Sequence, residues 1–193
     1  MADAPRFDAA RINFRALAHD DLRLMYRWIN DDPEVRRWWS REAGPFEKIV
    51  AKYAPRIGAT GPTRSYIIQY DTHPVGYIQE YLIGDHQDWA RIVDVPEVSA
   101  GVDLFVGEAA YRGHGRGSAI LRKFVREVVF ARREVESCII GPDESNARAI
   151  RSYEKAGFRP LKSIYDPDSC EHDLLLRISR AEALSDDISR RAS

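Results

Sequence analysis

Between a predicted strand and a predicted helix the chain reads Tyr111-Arg112-Gly113-His114-Gly115-Arg116-Gly117-Ser118. No other stretch constrains the fold as tightly. Three alternate glycines remove side chains where the backbone must turn sharply. They bare successive N–H groups at the positive end of the following helix. Such a turn is an anion cradle suited to a diphosphate, with Arg112 and Arg116 as adjacent cations. It is not a P-loop, since no Gly-Lys-Ser/Thr follows. Nor is the G-x-G-x-x-G dinucleotide fingerprint complete, because Ser118-Ala119-Ile120 follow the third glycine. The plain alternative is a flexible connection.

Residue periodicity supplies the surrounding elements. Ile12–Leu17 alternates as a strand. Leu22, Met25, Tyr26 and Ile29 mark one face of a helix that starts near His19-Asp20-Asp21 and stops at Asn30-Asp31-Asp32-Pro33. Arg37-Trp38-Trp39 lies in a loop or short helix. Pro45 opens a second helix with Phe46, Ile49, Val50 and Tyr53 inward. Residues 66–70 and 75–83 form a β-hairpin, 84–97 a polar loop, and 98–106 a further strand. A helix over 118–132, a strand over 136–140 and a helix over 146–156 capped by Gly157 follow. Strands 158–165 and 172–178 close the domain. Residues 1–11 read as a loose leader, 12–178 as one domain and 179–193 as a charged tail with room for one frayed helix. The expected fold class is α/β (α+β), a mixed sheet with helices on both faces, because the strand–helix–strand stretches demand crossovers.

Composition excludes several function classes. In 193 residues, 44% hydrophobic and 31% charged, no apolar run approaches the ~20 needed to span a bilayer. The first residues lack a basic start followed by an apolar stretch, so no signal peptide is expected. A net charge of -1 gives no drive toward nucleic acid or anionic lipid. Two cysteines, Cys138 and Cys170, cannot build a disulfide framework, which fits a reducing cytoplasm. Net neutrality hides a local asymmetry. Residues 79–103 hold Glu80, Asp85, Asp88, Asp94, Glu97 and Asp103 against Arg91 alone, whereas residues 111–133 hold seven bases against Glu127 alone. These segments are either two solvated faces or sites for two ligands of opposite charge.

Arg112-x-x-Gly115-x-Gly117 resembles the coenzyme-binding turn of the GNAT superfamily of acyl-CoA-dependent N-acetyltransferases. Asn146 to Phe158, read as N-x-x-A-x-x-x-Y-x-x-x-G-F, resembles that superfamily's downstream helix. The resemblance implies a mostly antiparallel central sheet flanked by helices and acetyl-CoA as cosubstrate. It also implies main-chain amides of residues 112–118 (Arg112, Gly113, His114, Gly115, Arg116, Gly117, Ser118) on the diphosphate, and Asn146 on the pantetheine arm. Tyr153 lies two helical turns beyond Asn146, nearly on the same face.

Within the superfamily the chain is similar to the aminoglycoside 6′-N-acetyltransferase branch. The similarity runs through residues 20–30, the paired tryptophans Trp38 and Trp39, the strand Pro74–Tyr81, and Gly101-Val102-Asp103. Asp88 and the Asp168 of the Asp-Pro-Asp turn also have counterparts there. The implied substrate is a polycationic small molecule. Trp38, Trp39, Gln79, Glu80, Asp88, Trp89, Asp103 and Asp168 are its expected contacts, since carboxylates and aromatic faces both bind cationic sugars. One of Trp38 and Trp39 is expected to be core. Two positions depart from the branch: Gly141 stands where it has an aspartate before Pro142, and Arg91 lies in its acidic loop.

Acetyl transfer from a thioester to a primary amine needs one proton removed from the ammonium and one given to the sulfur. Asp103 is expected to orient and deprotonate the amine, directly or through a water. Tyr153, with a reference pKa of about 10, is the expected acid. The N–H of Val106 is the expected donor to the reacting oxygen. Cys138 reads as core, and Cys170-Glu171-His172 lacks a second ligand pair, so no metal is expected. A monomer or homodimer, without nucleic-acid or membrane partners, is the expected state. The alternatives are acylation of a siderophore precursor, a polyamine or a protein N-terminus, and a non-catalytic acyl-CoA sensor.

Overall fold

In the computed structural model, residues 7–167 and 170–185 are described. The chain runs β1 (Ile12–Ala16), α1 (Asp21–Asp31), α2 (Pro33–Trp38), α3 (Phe46–Tyr53), β2 (Thr63–Tyr70) and β3 (His73–Leu82). It continues through α4 (Gln87–Val93), β4 (Ser99–Val106), α5 (Arg116–Glu127), β5 (Ser137–Ile140), α6 (Ala147–Ala156), β6 (Arg159–Asp166), β7 (Glu171–Ser179) and α7 (Arg180–Leu184). The seven strands form one sheet in the order β1-β2-β3-β4-β5-β7-β6. Every neighbouring pair is antiparallel except β4–β5. This is the expected mixed, mostly antiparallel sheet.

Strand alternation divides the core in two. One face carries Ile68, Val75, Ile78, Ala100 and Val102 against the apolar stripe of α5, Ile120, Leu121, Phe124 and Val125. The other face carries Ile67, Tyr77 and Phe105 against Leu22, Met25, Trp28 and Ile29 of α1 and Ile49 and Tyr53 of α3. Asp21 joins α1 to β1 through two hydrogen bonds of 2.6 Å from Arg15, and also accepts from the N–H of Ala18.

Three segments differ from expectation, and the tail holds the helix its sequence allowed. The polar loop 84–97 contains α4, because Val93 and Trp89 pack against Ile139, Ile164 and Leu175. Pro33 opens α2 as well as ending α1, with Asp32 capping it through the N–H of Val35 at 2.9 Å. The helix expected over 118–132 begins at Arg116, ends at Glu127 and passes into a single 3-10 turn. Residues 180–184 form a helix with a Ser179/Glu182 capping box, and Arg180 donates to the carbonyls of Phe130 and Val135. Ahead of the first strand, Phe7 stacks on Tyr70 at 5.2 Å.

The parallel pair is what opens the molecule. β4 and β5 are in register only from Ser99↔Ser137 to Gly101↔Ile139. Beyond Gly101, β4 runs on to Val106 paired with β3 alone. β5 ends at Ile140 and turns away at Gly141-Pro142.

Gly76 marks the tightest contact between β3 and β4, since a Cβ there would stand 2.3 Å from the carbonyl oxygen of Phe105. Backbone cannot yield as a side chain can. Gly76→Ala is therefore expected to lower stability by about 1–3 kcal/mol, read as a fall in the urea midpoint.

Candidate functional site

The divergence of β4 from β5 opens a cleft of about 1000 Å³. It is lined in its middle by Gln79, Asp103 and Val106, on one side by Gly113, His114, Gly115, Gly117, Ser118 and α6, and on the other by Trp38, Trp39 and Trp89.

At the first side the glycine turn forms a main-chain concavity. Gly113, His114 and Gly115 have φ of +79°, +51° and +77°, three consecutive left-handed residues. The N–H groups of Gly113, His114, Gly115, Gly117 and Ser118 meet no backbone or side-chain acceptor among the described residues. They stand at the start of the twelve-residue helix α5. The Ser118 hydroxyl donates to the Gly115 carbonyl at 2.7 Å and leaves these amides bare. Gly117 has a separate reason: a Cβ there would come within 3.0 Å of Ser152 Oγ on α6. A bare cradle at a helix start fits a diphosphate.

The two arginines of the motif do not supplement it as expected. The Arg112 guanidinium donates to the carbonyls of Val106 (2.8 Å) and Gly107 (2.7 Å) and pairs with Asp32 at 2.8 Å. Arg116 bonds the Ala110 carbonyl and lies 5.5 Å from the Phe7 ring, outside the cleft lining. Both cations spend these donors on main-chain carbonyls around the turn, although Arg112 still lines the cleft, as do Arg148, Arg151 and Lys155 of α6. Asn146 lines the cleft, yet its side-chain oxygen caps α6 by accepting from Ala149 N–H at 3.0 Å. Its amide nitrogen and the second lone pair of that oxygen remain for a ligand.

Asp103 sits on the sheet face packed by α1 and α3. Gln79 donates to it, Nε2 to Oδ2, at 2.7 Å. The Gln79 oxygen accepts from Tyr77 at 2.7 Å and from Arg56 at 2.6 Å. Burial lifts the Asp103 carboxyl above the ordinary range. The Gln79 hydrogen bond and the charges of Lys52 and Arg56 oppose that without cancelling it. Tyr153 lines the same cleft from α6. Burial, and then the Asp103 charge, push its phenol well up, so it keeps its proton at neutral pH.

The expected acidic wall is built from different residues. Of the six acids between 79 and 103, only Asp103 lines the cleft. Glu80 points to the opposite sheet face from Gln79, as neighbours in a strand must. It is fully buried between Arg64 and Arg132. Glu97 binds Arg177 and Ser137. Asp88 is 96% exposed and pairs with Arg91 one helical turn on. Glu80 and Asp88 are thus corrected from cleft contacts to structural and surface positions. Arg91 likewise points out of the site. Trp39 packs edge-on against Tyr77 and Phe105 yet is only partly buried and also lines the cleft, so neither tryptophan of the pair is withdrawn into the core. Trp38, under the Arg37 guanidinium at 4.7 Å, lines the cleft. Asp168 lies outside the described residues.

Carboxylates do converge at the outer end, from Asp143 after β5, Asp166 at the end of β6, and Glu171 and Asp173 on β7. Burial raises Asp143, but hydrogen bonds from Ser145 outweigh it and hold the carboxyl below the usual range. Asp173 is pushed up to about 6, by burial first and then by the charges of Asp166 and Asp143. A Cβ at Gly141 would lie 4.0 Å from Asp173 Oδ2, so Asp173 stands beside the position where the related branch carries its aspartate. Arg56, Lys52, Glu42, Arg41, Tyr77 and Asp173 were missed by the sequence reading. Only Tyr77 had a local signal, its strand parity with Gln79.

Among the described residues, no group of three or more His, Cys, Asp or Glu could hold a metal, and no helix is long and apolar enough to cross a membrane.

Known proteins share this fold. A family model described as "Acetyltransferase (GNAT) domain" matches residues 18–165. The aminoglycoside N(6')-acetyltransferase type 1 of Klebsiella pneumoniae is 33% identical over 159 residues, 81% of this chain and 78% of that protein. The solved aminoglycoside acetyltransferase AAC(6')-Ib in complex with coenzyme A and kanamycin superposes with a TM-score of 0.78. It shares 29% identity over 94% of this chain and 99% of that one. A spermidine N-acetyltransferase from Vibrio cholerae shares the fold with a TM-score of 0.69 at 15% identity, covering 91% of this chain and 99% of that one.

The Asp173 carboxyl binds its proton more tightly folded than unfolded, so its ionisation opposes folding. That cost is absent below the unfolded value of about 3.9 and complete above about 6. Asp173→Asn is expected to leave the melting temperature unchanged at acid pH and to raise it increasingly up to neutral pH, followed by thermal melts across that range.

Proposed function

The chain belongs to the GNAT acetyltransferase family, and we propose that it transfers the acetyl group of acetyl-CoA to a primary amine, the 6′-amino group of an aminoglycoside. Such a modification would confer resistance to the drug. The observation that carries this reading is a single cleft joining the bare amides of Gly113, His114, Gly115, Gly117 and Ser118 to Asp103 and Tyr153, with carboxylates and indoles at its outer end. The relatives' own activity on aminoglycosides supports it.

The residues present fit acetyl-CoA. The amides of Gly113, His114, Gly115, Gly117 and Ser118 would hold the diphosphate, and the Asn146 amide nitrogen the pantetheine arm. Bound there, acetyl-CoA supplies the acetyl thioester. Trp38 and Trp89 offer aromatic faces to sugar rings, and the Asp143, Asp166, Glu171 and Asp173 end attracts the remaining ammonium groups. Asp103 orients the reacting amine and takes its proton. Its environment lifts it from the weak basicity of an ordinary aspartate. Tyr153, protonated at neutral pH, returns a proton to the departing sulfur. The protons balance: one leaves nitrogen, one reaches sulfur, and solvent restores both side chains. Both cysteines are free, and Cys138 is buried with its thiol pushed well up. They suit a reducing compartment, and we place the enzyme in the cytoplasm.

Thiol release from acetyl-CoA in the presence of kanamycin, tobramycin or gentamicin, with mass spectrometry of the product, tests this reading against spermidine and hydroxylysine as competing amines. A drug heavier by one acetyl group at the 6′ position is the expected result. No thiol release with any amine would leave only an acyl-CoA binder. Asp103→Asn is expected to lose at least ~10-fold in kcat/KM, about 1.4 kcal/mol. Tyr153→Phe should lower kcat by roughly 10²-fold while calorimetry shows coenzyme A binding unchanged.

A further inference from the structure

We infer that Arg56 is a positioning residue for acetyl transfer, fixing which way round the Gln79 amide sits and so holding a hydrogen-bond donor against Asp103. This rests on the reading of Asp103 as the carboxylate that meets the amine.

The argument is one of hydrogen-bond polarity. Ser65, Tyr77, Gln79 and Asp103 form a continuous chain, with links of 2.7 Å between Ser65 and Tyr77, between Tyr77 and Gln79, and between Gln79 and Asp103. Its Ser65 and Tyr77 members are hydroxyls that can donate or accept. An amide can also be turned end for end with little change of shape. The chain by itself could therefore run in either direction. In the reversed sense, Gln79 would donate to Tyr77 and present its oxygen to Asp103. Asp103 would then have to be protonated to meet it, which would disable it as a base.

Arg56 breaks this degeneracy. A guanidinium only donates, so the Gln79 atom 2.6 Å from Arg56 Nη1 must be the oxygen. The nitrogen is then forced toward Asp103 Oδ2, leaving Oδ1 for the substrate. Arg56 is held over the Tyr53 ring at 5.4 Å and, among the described residues, forms no ion pair.

The other groups facing Asp103 do not perform this task. Lys52, on α3, favours the anion but is paired with Glu42, which opposes it. Asp173, from β7, also carries the opposing sign. The phenols of Tyr53, Tyr77, Tyr81 and Tyr153 and the thiol of Cys138 are all raised and stay neutral at working pH.

The test is a carboxyl-carbon NMR titration of the full chain labelled at aspartate, with the Asp103 signal assigned through D103N. It is run on wild type, R56M and R56K, beside the pH profile of kcat/KM for thiol release. Arg56→Met keeps the stem that covers Tyr53. It is expected to raise the Asp103 midpoint by about one pH unit and to move the acid limb of kcat/KM equally. The kcat above that limb should change less than about threefold. Arg56→Lys, which still only donates, is expected to restore most of the shift. R56Q carries the same expectation as R56M if the latter does not fold. A folded R56M or R56Q with the wild-type Asp103 midpoint overturns the proposal. A shifted midpoint in a protein whose wild type acetylates no amine upholds Arg56 as the positioning group and overturns the acetyl-transfer reading instead.

Discussion

The site depends on how briefly β4 and β5 run together. Three residue pairs hold them in parallel register, and then the strands part. Within a sheet each strand ordinarily satisfies its backbone on both sides. Here β4 from Val102 onward is paired by β3 alone, and the space beside it is walled by side chains from α2, α4, α6 and β7. Without that divergence Asp103 would lie under a continuous sheet. Tyr153 and the amides of the glycine turn would have no common space with it.

The same divergence lets one small domain receive two ligands of opposite charge. The anion side is a left-handed turn at a helix start, whose bare N–H groups carry partial positive charge, with Arg112 and the α6 cations Arg148, Arg151 and Lys155 lining the same cleft. Arg112 and Arg116 spend their donors on carbonyls of the strand–turn junction and set its shape. The cation side is made from carboxylates drawn from separate segments, where burial first and then the charges of Asp166 and Asp143 push Asp173 up to about 6. Asp103 lies between the two, ionised or not according to a balance of burial against Gln79, Lys52 and Arg56.

Much of the fold was legible because it rests on local periodicity. The seven strands, the stripe of α5, and the helix from Asn146 to its Gly157 cap each announce themselves within a few residues. The helix α4 did not, since seven residues with one buried position carry too little pattern to stand out from a polar loop. Parity along β3 was available in the sequence and would have separated Gln79 from Glu80. The acidic run 79–103 misled for the same reason, because a tally of charge along the chain ignores which way successive side chains point.

Asp103 and Tyr153 were named through the family resemblance. By itself, then, the sequence determined most of the elements, their order and the glycine turn. These follow from spacing along the chain, which backbone geometry converts directly into turns and faces. Only the tertiary structure decided which carboxylates meet in the cleft, that Arg116 lies outside it while Arg112 spends donors on the carbonyls of Val106 and Gly107, and that Arg56 reaches Gln79. Those are contacts between segments far apart in the chain. They are set by sheet order and strand register, which no local pattern of residues encodes.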